Sequence, residues 1–274
     1  MVINKKWCLA KNISLDLSAP LLMGILNVTP DSFSDGGEYC DVDKAYKHCC
    51  NMLKEGAHIL DIGGESTRPN STAIASFVEQ QRILPIIKKL NVNKDIIISV
   101  DTYNSDTANL ALQNGAHIIN DIYGLQYDLA MADVVAQYKA GIIIMHTNRN
   151  RHSLPDIIDD QKYFFEKSLN IAHKAGIKDE AIALDPGFGF GKNAEHNIKL
   201  FKRINDLNCF NYPLVAATSR KRFLGTICGI ENSSERDIAT AATSILLRQN
   251  KFAIFRVHNI AYNKQALDIC ETLR

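Results

Sequence analysis

A chain of 274 residues, 46% of them hydrophobic, is long enough to bury one sizeable core. With 31 basic against 30 acidic side chains it has no global field to recruit nucleic acid or a membrane surface, so specificity must be local. Seven cysteines without a Cys-x-x-Cys pair argue for reduced thiols and against zinc, and the absence of an apolar run of about 18 residues or of a signal-peptide core gives the expectation of a cytoplasmic protein without a membrane anchor.

In chain order, residues 1–19 alternate apolar and polar side chains around Ile13, Leu15 and Leu17, the pattern of a β-hairpin that precedes the main fold and closes one end of it. Apolar, β-rich stretches then recur at 21–27, 58–62, 96–101, 117–121, 141–146, 181–185, 214–218 and 253–258. Helical patterns fall between and after them at 42–55, 76–90, 105–114, 131–139, 157–175, 194–207, 234–249 and 260–273. Eight strands alternating with eight helices predict an α/β fold, a (βα)8 TIM barrel, for which about 250 residues is the usual size. A doubly wound open sheet is the alternative, and it wastes the eighth unit. Gly56, Gly115, Gly141 and Gly176 read as helix stops, and Pro85 as a kink or late start of the second helix. No linker, charge block or low-complexity segment interrupts the chain, so residues 1–274 are expected to form a single domain.

Polar residues end the apolar strands: Asn27, Asp61, Asp101, Asn120, Asp121, His146, Asp185, Ser219, Arg256 and His258. In a parallel barrel all these ends face one mouth. Any one of them alone is more often a helix cap or a backbone partner than a reacting group. Together they form a ring of carboxylates, amides and cations suited to fixing a flat, hydrogen-bond-rich heterocycle beside an anion. Asp61 is read as structural. Arg256 and His258, two apart on a strand, share a face, and the competing reading of Arg256 is a salt bridge at the barrel rim. By residue type alone Met145 and Phe190 are core side chains. Phe33, in a loop of turn residues, is either a pin holding that loop down or a clamp for a flat ligand.

Two segments imitate other functions. Residues 187–192 look like a phosphate-cradling loop, but Pro186 and Asn193 stand where a P-loop needs Gly and Ser or Thr, and Lys192 stands where the dinucleotide fingerprint needs Gly. They read as a flexible mouth loop. The basic run Arg220-Lys221-Arg222 has no flanking basic helix, and nucleic-acid binding is not expected.

The run Asn27-Val28-Thr29-Pro30-Asp31-Ser32-Phe33-Ser34-Asp35-Gly36-Gly37 resembles the first signature of the dihydropteroate synthases. Asp61-Ile62-Gly63-Gly64-Glu65-Ser66-Thr67-Arg68-Pro69 resembles the second. Asp101-Thr102, Asn120-Asp121, Asp185-Pro186-Gly187-Phe188-Gly189-Phe190, Ser219-Arg220-Lys221 and Arg256-Val257-His258 are similar to the remaining family motifs, in order.

The resemblance implies a transferase of folate biosynthesis, in which p-aminobenzoate displaces pyrophosphate from 6-hydroxymethyl-7,8-dihydropterin diphosphate to give 7,8-dihydropteroate. It implies a pterin pocket of Asp101, Asn120, Asp185 and Lys221, walled by Met145 and Phe190. A carboxylate there can accept two parallel N–H donors from the amino-pyrimidinone edge. It implies a diphosphate site of Asn27, Arg68, Arg256 and His258 with Mg²⁺ near Asn27, and a p-aminobenzoate slot closed by Phe33, Thr67 and Pro69. On the dissociative course ascribed to the family, Asp101 and Asp185 stabilise positive charge developing in the ring, while Arg68, Arg256 and His258 stabilise the departing anion. Lys221 donates to ring heteroatoms. A homodimer and a target for sulfonamides are also implied.

The chain departs from the family pattern at Asn70, at Arg222 and in the loop 146–151, which lacks the family's frequent Met and Gly. Two other readings share the pterin pocket: a non-catalytic pterin- or folate-binding paralogue, and a barrel that moves a methyl group from a reduced folate. The first tolerates losses in the diphosphate set, and the second has no need of the Phe33 and Thr67 loops.

Overall fold

The computed structural model describes residues 6–29, 38–66 and 73–273. Phe33, Thr67, Arg68, Pro69 and Asn70 therefore lie outside the described residues. A two-stranded antiparallel hairpin, β1 (Lys6–Cys8) and β2 (Ser14–Asp16), comes first, as its alternation predicts. Eight parallel strands follow: β3 (Leu21–Asn27), β4 (Ile59–Gly63), β5 (Ile97–Asp101), β6 (Ile118–Asp121), β7 (Gly141–Met145), β8 (Ile182–Asp185), β9 (Val215–Ala216) and β10 (Ile254–Val257). Their order runs β8-β7-β6-β5-β4-β3-β10-β9, and a parallel bridge between Leu184 and Leu214 joins the two ends into a barrel.

The helices are α1 (Glu38–Lys54), α2 (Ser76–Leu90), α3 (Ser105–Gln113), α4 (Met131–Tyr138), α5 (Ile157–Lys174), α6 (Ala194–Lys202), α7 (Arg222–Cys228), α8 (Asp237–Gln249) and α9 (Ile260–Thr272). Nine among the described residues are one more than predicted. The addition is α7, whose 7 residues make about two turns and present only a short apolar stretch, Phe223 and Leu224, to the core. The helix expected over 194–207 ends at Lys202 and continues as a 3₁₀ segment, Ile204–Phe210. Pro85 neither delays nor ends α2. It and Gln81, whose carbonyl loses its partner, are both exposed, so water satisfies the freed group. Gly56, Gly115 and Gly176 do adopt the left-handed conformation of helix stops. Gly141 instead opens β7, and the left-handed cap of α4 is Lys139.

Strand periodicity divides the core in two. Met23, Ile59, Ile97, Ile118, Ile143, Ala183, Val215 and Ile254 fill the barrel interior, one from each strand, together with Trp7, Leu9 and Leu17 of the N-terminal segment. Trp7 is fully buried and its indole N–H donates to the Ala181 carbonyl at 2.9 Å, so the hairpin stoppers the lower end. Alternate residues such as Leu60, Ile62, Ile98, Val100, Ile142 and Ile144 pack outward against the helices. Burying each such side chain contributes about 1.5–3 kcal/mol. Among the described residues no helix is long and apolar enough to cross a membrane, and none of the described cysteines is in a disulfide.

Candidate active site

The same period of two lifts chemistry onto the apolar floor. Two residues above the inner layer stand Asp61, Ser99, Asn120, Met145, Asp185 and Arg256, and four above it stand Asn27, Gly63, Asp101 and His258. Asp121 and His146 have the opposite parity and leave the expected ring. Asp121 turns its carboxylate onto the Tyr123 and Leu125 N–H groups, at 2.8 and 2.7 Å, and burial raises it to about 6 against those bonds. His146 is fully buried and bonds to Asp160 of α5.

Arg256 is the hub. Its Nε donates to Asp61 Oδ2 at 2.6 Å and its terminal nitrogen to Asp101 Oδ2 at 2.7 Å. Asn120 Nδ2 donates to the same Asp61 oxygen at 3.3 Å. Asp61 is thus part of the site, which corrects the reading that set it aside. Burial works against the Arg256 charge, but Asp61 and Asp101 hold the guanidinium firmly protonated. Asp101 is pushed up to about 7 by burial, with Arg256 opposing. Arg256 does form a salt bridge, and it lies inside the mouth rather than on the rim.

Three buried atoms of this layer, Asp61 Oδ1, Asn120 Oδ1 and Ser99 Oγ, have no hydrogen-bond partner among the described residues. Two are pure acceptors, and what complements them is a ligand that brings N–H donors. Asp185 contributes a further carboxylate. One of its oxygens accepts from the Gly187 N–H at 2.7 Å, so it caps the following turn as well as facing the pocket, and burial raises its pKa.

Lys221 and Phe190 form the lip: Lys221 Nζ lies 4.3 Å from the centre of the Phe190 ring, and Arg149 Cζ lies 4.5 Å from it. Burial and the nearby Arg256 charge lower Lys221 to about 8. Phe190 and Met145 belong to neither large core. With Ile122 they make a separate apolar cluster, flanked by Tyr103 and Tyr123, that walls the mouth. Those tyrosines were not singled out by the sequence, since nothing in their spacing marks them. Tyr103 donates to both Glu65 oxygens, at 2.9 and 3.0 Å, and so anchors the start of the second mouth loop.

His258 accepts or donates at Nδ1 to Ser219 Oγ, 2.9 Å away, while the His258 backbone N–H donates to that same Oγ at 3.1 Å. An Oγ accepting from the backbone keeps its own proton to give to Nδ1, and in that arrangement the imidazole proton sits on Nε2. Burial, then Arg220 and Arg256, lowers His258 to about 3. It is a neutral donor, not a third cation.

The basic run splits three ways. Arg220, held at φ 58°, forks onto both Asp237 oxygens at 2.7 and 2.8 Å; Lys221 enters the pocket; Arg222 is exposed at the start of α7. Asn27 Oδ1 and Asp101 Oδ2 gather at the ends of β3 and β5, 3.9 and 3.8 Å from where a Cβ on the intervening Gly63 would stand. Mg²⁺ takes one or two protein oxygens and completes its shell with water and substrate phosphate, and the Asn27 amide oxygen fits that requirement. Among the described residues no three His, Cys, Asp or Glu side chains gather as an all-protein metal cage.

This arrangement can be compared with known proteins. The profile of the family described as pterin binding enzyme matches residues 23–258. A dihydropteroate synthase of Bacillus subtilis is 42% identical over 240 residues, covering 88% of this chain and 84% of the relative. The solved dihydropteroate synthase of Clostridium difficile, in the presence of pteroic acid, gives a TM-score of 0.90 at 42% identity over 93% of this chain and 97% of that one. That of Xanthomonas albilineans, with 4-aminobenzoic acid, gives 0.93 at 34% identity over 98% of both chains. With its parallel barrel, its acceptor-lined pocket and these relatives, the chain belongs to the dihydropteroate synthases of the pterin-binding enzyme family.

Proposed function

We propose that residues 1–274 act as one domain in which Asp101, Asn120, Asp185 and Lys221 hold the dihydropterin ring against Met145 and Phe190, and Asn27, Arg68, Arg256 and His258 receive its diphosphate. The reaction is the dihydropteroate synthase condensation. The C–O bond to diphosphate breaks with its electron pair, the p-aminobenzoate nitrogen forms the new C–N bond, and that nitrogen releases a proton. A leaving group this good needs positioning and electrostatics rather than a covalent nucleophile.

The observation that carries this reading is the gathering of unpaired acceptors around Arg256. Asp61, Asp101 and Asp185 lie on the floor beneath the ring, and carboxylates there favour positive charge developing in it. The neutral His258 supplies an N–H donor to the departing anion. Mg²⁺ bound at Asn27 would neutralise charge on the diphosphate. Phe33, Thr67 and Pro69 are proposed to close over p-aminobenzoate on the strength of the sequence motifs.

Ile238 and Leu246 of α8 and Ile269 of α9 are exposed apolar side chains on neighbouring helices, which supports a homodimer, to be checked by sedimentation. The unpaired thiols of the described cysteines support a cytoplasmic location. The catalytic test is pyrophosphate release from dihydropterin diphosphate with Mg²⁺: release that depends on p-aminobenzoate supports the reading, and its absence overturns it.

A further inference from the structure

The loop that imitates a phosphate cradle has another use. Lys192 is only 7% exposed, and its Nζ lies 2.9 Å from the Gly187 carbonyl, 3.4 Å from the Phe190 carbonyl and 2.9 Å from His146 Nδ1. An ammonium has three N–H donors, and here three acceptors meet them, with no carboxylate among its described hydrogen-bond partners. The side chain folds back over its own loop and closes it. Burying such a charge is unfavourable unless it is fully hydrogen-bonded, and burial lowers the Lys192 ammonium to about 7, with the Asp185 and Asp160 charges opposing. The sequence reading of a flexible mouth loop is corrected accordingly.

The loop is also fastened to its neighbour. His146 N–H donates to the Asp185 carbonyl at 2.9 Å and Asn148 N–H to the Phe190 carbonyl at 3.2 Å. A Cβ on Gly187 would stand 1.8 Å from the His146 oxygen, so only glycine permits this approach. When His146 Nδ1 accepts from Lys192, its Nε2–H faces Asp160 Oδ2 at 3.0 Å, with a terminal nitrogen of Arg151 also 2.9 Å from Nε2. Asp160 receives Arg151 and, at 2.7 Å, the Leu154 N–H. The chain of contacts therefore runs from the pocket loop through His146 to α5 and the 146–151 loop, the segment in which this chain departs from the family pattern.

What Lys192 holds is the pterin side of the mouth. Gly187 fixes the Asp185 carboxylate, Phe190 faces Lys221 and Arg149, and Gly189 packs against the Lys221 stem, to which a Cβ would approach within 3.1 Å. Among the described residues, Arg222 takes no part in these contacts.

We propose that Lys192 is a positioning residue of the synthase reaction, clamping the 187–192 loop through the Gly187 and Phe190 carbonyls and His146 so that capture of dihydropterin diphosphate, and not of p-aminobenzoate, depends on it. The proposal rests on the pterin-pocket reading above. Lys192→Met keeps length and volume but removes all three donors. Calorimetry with dihydropterin diphosphate and Mg²⁺, without p-aminobenzoate, should show affinity weakened about tenfold or more, as loss of one or more charge-assisted hydrogen bonds predicts. The KM for p-aminobenzoate at saturating dihydropterin diphosphate should stay within about twofold. A residue that only stabilised the fold would lower the melting temperature and the active fraction while leaving both KM values in place, and that result overturns the proposal. So does an equal loss for both substrates.

If Lys192→Met does not fold, His146→Asn and His146→Leu give the answer. Asn keeps an acceptor near the position of Nδ1, so it should retain clearly more pterin affinity than Leu, and equal loss rejects the clamp. The unsubstituted enzyme separates the two readings: failure to bind dihydropterin diphosphate would reject the pocket assignment itself, whereas normal binding in both it and Lys192→Met rejects only the clamp.

Discussion

Arg256 on β10 reaches past β3 to bond Asp61 on β4, Nε to Oδ2 at 2.6 Å, and this pair ties together strands that are not neighbours in the barrel. Asp61 is fully buried. Removing one member of a buried pair strands the other, so Asp61→Leu should lower stability by about 3–5 kcal/mol. Urea unfolding measures it, and a loss below about 1 kcal/mol would mean that Asp101 alone satisfies the guanidinium.

Asp185→Asn should keep its oxygen on the Gly187 N–H and turn an amide N–H toward the ligand's own donors. Pterin affinity should fall by about 1–3 kcal/mol. Calorimetry with a pterin ligand checks this. Unchanged affinity would leave Asp185 only its turn-capping bond.

His258 is read as a neutral donor through Nε2. His258→Gln, which places an amide N–H near that position, should keep substantially more kcat than His258→Leu. Equal loss in steady-state assays would show that the imidazole has a task an amide cannot copy.

Acid should withdraw the contribution of two buried histidines, against the opposite effect of Asp101 and Asp121, which are raised to about 7 and about 6 and bind protons in the fold. His146 and His258 have pKa values near 3 in the fold, against 6.5 when exposed, so the unfolded chain binds more protons throughout that interval. Their contribution is full above pH 6.5 and is lost progressively as pH falls towards 3. Across that range the melting temperature of the unsubstituted protein should fall relative to that of His258→Gln, which lacks one of the two titrating groups. Parallel curves would place the proton uptake elsewhere.

Arg222 is exposed and stands at the first turn of α7, outside the Arg256 network. Arg222→Ser should leave the KM for p-aminobenzoate within about twofold, since an exposed charge contributes little. A larger rise would bring its guanidinium into the p-aminobenzoate site and make it a candidate for altered sulfonamide response.

The barrel was legible because buried parallel strands are written as short apolar runs, and the site because each run ends in a polar residue. Which of those residues share a cavity depended on parity, and parity depends on where pairing places each strand. That is why Asp121 and His146 could not be told from Asn120 and Met145 by spacing alone. Asp61 looked structural because its partner, Arg256, is 195 residues away in sequence. Lys192 was hidden by its motif: a lysine after glycines suggests a phosphate, and only the fold shows its ammonium spent on backbone carbonyls. The α7 helix is too short to show a period.

Trp7 and Leu9 close the barrel from below, which, among the described residues, leaves the mouth at the C-terminal ends of the strands as its opening. Whatever is to occupy the floor must arrive before anything above it. The pterin, assigned to the deepest layer, therefore has to enter an empty mouth. A p-aminobenzoate molecule that comes first can only stand in the way, so excess p-aminobenzoate should slow turnover in a manner that added dihydropterin diphosphate relieves. Product, for the same reason, leaves by the route its parts came in.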